Sequence, residues 1–135
     1  KDDSMYFLQI INDMGGLPSS YVPKDLVNIT PHLKTWGKTP ICMTRTTAVQ
    51  LSTMMQDMAK EKLNLAIVSA YRSYTEQNAL YKTGSKTMNS GSFDRVAPAG
   101  RSDHQLGTAL DISTLTVSGT SFGTTSESLW LQNKI

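Results

Sequence analysis

Arg101–Ser113 reads RSDHQLGTALDIS, and two of its residues, His104 and Asp111, stand seven apart with Gly107 between them. The second half of the stretch alternates. In an extended chain Thr108, Leu110 and Ile112 share one face, and Ala109, Asp111 and Ser113 the other. A strand with one face on a core accounts for this, and it puts Asp111 opposite Leu110 and Ile112, on the side that can line a cleft. An acid inside an otherwise apolar strand needs a partner. His104, held at the strand entrance by a turn that Ser102 and Gly107 favour, is the candidate. By residue type alone the pair has two readings. It is a hydrogen-bonded structural pair, or it is an imidazole and a carboxylate holding a metal, two thirds of a catalytic zinc set with three protein ligands and an open fourth position.

Upstream, LAIVSAY (Leu65–Tyr71) is a short, branched, apolar run that suits a buried strand. In the RSYTEQNALYKTG that follows, Ser73 and Glu76 have capping-box spacing, which predicts a helix over Tyr74–Tyr81 closed by Gly84. Arg72 leaves the end of that strand with its base set by the core. Its planar guanidinium suits binding a carboxylate or stabilising an oxyanion, and equally suits a surface pair with a nearby acid.

Further toward the N-terminus, Ala48, Leu51, Met55, Met58 and Ala59 recur at helical steps and predict an amphipathic helix over Thr44–Leu63. Its methionines read as core filling. Residues 1–43, rich in proline and glycine, read as an irregular arm packed over the core, with at most a strand near Tyr6–Ile11. Residues 44–135 form the remainder of a single domain. Gly84–Asp103 has no period and reads as a long loop, and Thr124 with Glu127 predicts a capped helix through Leu129, Trp130 and Leu131. Helices interleave with strands joined too closely for regular crossovers. The fold class is therefore α+β, a small, mostly antiparallel sheet flanked by helices.

The 135 residues carry 13 basic and 11 acidic side chains, a formal net charge of +2, with no run of one sign. That balance excludes a nucleic-acid stripe and a polybasic membrane patch. No apolar run approaches the length of a membrane span. Cys42 is the lone cysteine and reads as a small buried hydrophobe.

Taken together, SAYRSYTEQNALY, APAGRSDHQLGTALDIS and SFGTTSESLWL resemble the VanY-type D-alanyl-D-alanine carboxypeptidases, zinc peptidases that trim peptidoglycan stem peptides. The family pattern Ser-x-His-x-x-Gly-x-Ala-x-Asp is met by Ser102, His104, Gly107, Ala109 and Asp111, and its Tyr-Arg-Ser element with a later glutamine by Tyr71, Arg72, Ser73 and Gln77. The resemblance implies a zinc cleft on one face of the sheet, with His104 and Asp111 as zinc ligands, Arg72 on the developing oxyanion or gripping the substrate, and Gln77 and Ser102 touching the terminal D-residue. It also implies a third ligand and a general base in a downstream Glu-x-x-His element. These residues hold no such element, so the expected set is incomplete. His32, in the arm, reads as a surface or capping residue, and Glu127 as a helix start. The implied activity is D,D-carboxypeptidase action at the cell wall, outside the membrane of a bacterium and reached through an export signal or anchor. An L,D-carboxypeptidase, an endopeptidase and an inactive peptidoglycan-binding module are the other readings.

Overall fold

A computed structural model describes residues 16–87, 96–116 and 119–133. The expected strand near Tyr6–Ile11 and part of the expected loop after Gly84 lie outside these residues.

Within the arm a pairing forms that its prolines and glycines do not suggest. Leu26–Asn28 (β1) runs antiparallel to Cys42–Thr44 (β2), with Val27 opposite Met43. Met43 is fully buried, and Leu17, Ile29 and Ile41 of the same segment are buried too. Thr44 ends β2 and opens α1 (Arg45–Lys60), its hydroxyl accepting the Thr47 N–H at 3.4 Å. The apolar face of α1 turns Leu51 and Met58 inward, with Ala48 and Met55 against the core as the periodicity predicts; Met54, outside the predicted face, packs there too, and Ala59 is exposed. The helix stops short of Leu63 because Lys62 turns left-handed at φ 60°. The Leu63 N–H then reaches the Met58 carbonyl at 2.9 Å and the Lys62 N–H the Ala59 carbonyl at 3.0 Å, a paired cap that consumes the last carbonyls.

The two strands that carry the site are shorter than their sequence patterns. Ala66–Ser69 (β3) pairs antiparallel with Asp111–Ser113 (β4), Ala66 opposite Ser113 and Ile67 opposite Ile112. The register then slips. Val68 is left unpaired, a β-bulge, and Ser69 faces Asp111. β3 is also tied to the arm, since the Trp36 N–H donates to the Ile67 carbonyl and the Ile67 N–H to the Lys34 carbonyl, each at 2.9 Å. The fold is thus α+β with two small antiparallel pairs rather than one continuous sheet. Ile29, Ile41, Met43, Leu51, Ile67 and Ala70 form the core between them, with Leu110 and Ile112 packed alongside. Each Ile, Leu or Met among them contributes roughly 1.5–3 kcal/mol on full burial.

Helix α2 (Tyr74–Thr87) begins with the expected capping box: the Glu76 N–H donates to Ser73 Oγ and the Ser73 N–H to Glu76 Oε2, both at 3.1 Å. It does not close at Gly84 but runs through it. A glycine inside a helix costs only about 1 kcal/mol relative to alanine, so one alone does not end a capped helix. Helix α3 (Ser126–Asn133) is capped one residue later than expected, by Thr125, whose Oγ1 accepts the Ser128 N–H at 3.1 Å. Its Trp130 Nε1 donates to Glu61 Oε2, tying α3 to the end of α1. No helix among the described residues is long and apolar enough to cross a membrane.

Candidate active site

Between the end of β3 and the start of β4 lies one turn of 3-10 helix, Asp103–Leu106. Ser102 caps it, its Oγ accepting the His104 N–H at 3.3 Å, and Gly107 closes it at φ 75°. The expected strand over Gly107–Ser113 is shortened from its N-terminal end by this closing turn. Gly107 is boxed in: a Cβ there would sit 3.1 Å from Thr44 Cγ2 and 3.2 Å from both Leu26 Cδ2 and Pro23 Cγ. Its carbonyl accepts the Thr44 N–H at 2.9 Å, and the Arg72 N–H donates to the His104 carbonyl at 3.1 Å. The turn is therefore fastened to the start of α1 on one side and to the end of β3 on the other.

His104 is aimed from this turn. Its Nδ1 lies 2.7 Å from the Ala70 carbonyl oxygen. A carbonyl only accepts, so Nδ1 carries a proton, and in the neutral imidazole the lone pair is on Nε2. That lone pair faces Asp111, with Nε2 and Oδ2 3.6 Å apart. Arg72 completes the group. Its Nη2 lies 3.6 Å from the same Asp111 oxygen, and its Nη1 donates to Gln77 Oε1 at 2.8 Å. Gln77, only 2 % exposed, uses its other end to donate to the Ala97 carbonyl at 2.6 Å. One end of its amide is thus anchored at Ala97 while the other holds the Arg72 guanidinium in orientation.

All five residues singled out by the sequence, Arg72, Gln77, Ser102, His104 and Asp111, line one cleft of about 470 Å³. Leu80, Val96, Ala97 and Ala109 give it an apolar wall, and Arg101 and Asp103 add charge. His32 is exposed and, like Glu127, takes no part in the lining. Sequence reasoning missed Ser69. Its Oγ donates to Asp111 Oδ2 at 2.5 Å and accepts from Arg72 Nη2 at 3.3 Å. Strict alternation along β3 puts Ser69 on the same face as the core residue Ile67. Only the bulge at Val68 moves it to the face of Asp111, and no feature of LAIVSAY signals a bulge.

The donor chemistry suits zinc as far as it goes. Two ligands about 2.1 Å from a tetrahedral zinc stand about 3.4 Å apart, close to the 3.6 Å between His104 Nε2 and Asp111 Oδ2. The hydrogen bond from Nδ1 to a backbone carbonyl is the usual second contact of a metal-binding imidazole. A catalytic zinc takes three protein ligands, and among the described residues no group of three His, Cys, Asp or Glu side chains converges.

Helices with small antiparallel sheets, as in this chain, are a fold shared with solved carboxypeptidases. Over 98% of its length the chain superposes on the LdcB LD-carboxypeptidase, a protein whose structure was solved for its peptidoglycan recognition, with a TM-score of 0.82 and 30% identity, covering 64% of that chain. It also shares its fold with a mutant D,D-pentapeptidase VanY, from a VanB-type vancomycin-resistance cassette, solved with Zn(II). There the TM-score is 0.60 at 20% identity, over 84% of this chain and 64% of that one. In sequence it is 33% identical over 131 residues to YodJ of Bacillus subtilis (strain 168), a protein whose name assigns it provisionally to the carboxypeptidases. That match takes in 93% of this chain and 48% of YodJ, so the chain spans about half the length of this curated relative. Residues 40–135 match the model of the VanY family, D-alanyl-D-alanine carboxypeptidase, and the chain belongs to that family.

Proposed function

We propose that this chain carries the substrate cleft and two zinc ligands of a D,D-carboxypeptidase that removes the terminal D-alanine from peptidoglycan stem peptides, on the wall-facing side of a bacterial membrane. One observation carries the reading: the Nε2 lone pair of His104 and Oδ2 of Asp111 face each other at metal-bridging distance, beside Arg72, in a cleft open to a peptide end. His104 and Asp111 would hold a zinc ion, which when bound would supply Lewis acidity and lower the pKa of a bound water toward neutrality. The protein's own contribution is orientation. The Ala70 carbonyl keeps the His104 proton on Nδ1, and Gln77 presents the Arg72 guanidinium to the oxygen on which charge develops during hydrolysis. Ser102 and Gln77 line the cleft where the terminal D-residue would lie, and Leu80 and Val96 offer its methyl group an apolar wall.

The likeness to an LD-carboxypeptidase supports a second reading, cleavage of the L,D bond of a tetrapeptide stem on the same cleft. Mass spectrometry of pentapeptide and tetrapeptide muropeptides treated with the full-length protein separates the two. Loss of one alanine from the pentapeptide alone supports D,D action, and loss from the tetrapeptide alone supports L,D action. Zinc titration of wild type against His104→Ala and Asp111→Ala tests the metal. Equal zinc affinity in all three refutes the site.

A further inference from the structure

Ser69 lies between the two charged groups of the cleft. Its hydroxyl is 2.5 Å from Asp111 Oδ2 and 3.3 Å from Arg72 Nη2, while Nη2 and Oδ2 are themselves 3.6 Å apart. A carboxylate has no proton to give and a guanidinium no lone pair to offer, so the hydroxyl donates to Asp111 and accepts from Arg72. The Asp111 side chain is 54% exposed, so packing alone does not hold its carboxylate in place. An arginine and a carboxylate with nothing between them close to a direct charge-assisted contact of about 2.7–2.9 Å. Such closure would draw Oδ2 toward the guanidinium and away from His104 Nε2, and would turn the guanidinium away from the cleft.

We propose that Ser69 is a positioning residue that keeps Asp111 and Arg72 apart, so that the carboxylate stays paired with His104 for the metal and the guanidinium stays presented to substrate. The β-bulge at Val68 is the device that brings the hydroxyl here, since it alone sets Ser69 opposite Asp111 in the ladder. The inference rests on the zinc reading of His104 and Asp111.

Its test compares Ser69→Ala and Ser69→Thr with wild type and His104→Ala, all as full-length protein. Zinc affinity is read by competition with a chromophoric chelator, ligand geometry by the visible spectrum of the Co(II)-substituted protein, and folding by thermal melting. Loss of an outer-shell partner typically weakens metal binding by about 10–100-fold. That loss is expected for Ser69→Ala, with altered Co(II) bands and an unchanged melting temperature, while Ser69→Thr, which keeps the hydroxyl, returns affinity to within about threefold of wild type. Ser69→Ala binding zinc as wild type does, with the same Co(II) spectrum, overturns the inference alone. So does a Ser69→Thr as weak as Ser69→Ala, because volume and not the hydroxyl would then be at work. Wild type binding zinc no better than His104→Ala removes the metal site itself, and the inference with it.

Discussion

Gly107 and Gly37 provide a paired experiment on what shapes the His104 turn. Both are left-handed, at φ 75° and 74°, but a Cβ on Gly107 meets three carbons at 3.1–3.2 Å whereas a Cβ on Gly37 meets nothing within 4 Å. A left-handed conformation costs an alanine about 1–2 kcal/mol, and stiffening of the unfolded chain returns about 0.4–1 kcal/mol. Gly37→Ala should therefore cost about 1 kcal/mol. Gly107→Ala adds overpacking of a filled site, about 1–3 kcal/mol, because Leu26 and Thr44 are paired across the β1–β2 ladder and Pro23 lies just before β1, so the three cannot easily retreat. The expected total is about 2–4 kcal/mol. Urea unfolding at neutral pH, followed by tryptophan fluorescence, measures both. A shifted midpoint with unchanged slope identifies a change in stability rather than in the compactness of either state. Since the Gly107 carbonyl holds the start of α1 and its N–H reaches the His104 carbonyl at 3.3 Å, Gly107→Ala should also weaken zinc binding while Gly37→Ala leaves it intact. Equal destabilisation by the two substitutions would refute the packing argument, and intact zinc binding in Gly107→Ala would refute the coupling of this turn to the site.

Three further outcomes follow from the same geometry. Arg72→Ala should lower kcat/KM at least ~100-fold, the scale for losing one oxyanion donor, and a fall of less than about threefold would make Arg72 a surface residue. Gln105, fully buried, donates to the Pro18 and Tyr21 carbonyls at 3.0 and 3.2 Å and so clips the arm to the His104 turn. Gln105→Ala should cost about 2–4 kcal/mol in urea unfolding through the cavity and the lost donors, and a cost under about 0.5 kcal/mol would show that the clip is idle. Burial, then the charge of Glu76, then Cys42 push the Tyr71 phenol above its ordinary 10.0. The folded chain thus holds this proton more tightly than the unfolded chain does, so the associated stability is complete below pH 10 and is lost as pH rises through the folded value. Tyr71→Phe should lose stability less steeply above pH 10 than wild type, and parallel curves would remove Tyr71 as the cause.

The candidate site was legible because its chemistry sits in side chains of unusual kind for their surroundings. An aspartate in an apolar strand, a histidine beside a turn, and an arginine leaving a buried run each conflict with packing alone, and all three line the same cleft with Gln77 and Ser102. The fold was less legible where the arm is concerned. β1 and β2 are three residues each, too short to show a period, and their pairing comes from Met43 finding a place in the core.

From the sequence alone come the helices, whose period and caps are local properties, the α+β class, and five of the residues at the cleft, Arg72, Gln77, Ser102, His104 and Asp111. Only the tertiary structure decides the register that brings those residues together and the tautomer of the histidine among them. The bulge at Val68 depends on how β3 meets β4 and the arm, and the tautomer of His104 depends on a carbonyl 34 residues away at Ala70. Neither is a property of neighbouring residues in the chain. A local pattern sets what a residue prefers, while a hydrogen bond across the fold sets which face it shows and which of its atoms is left to react.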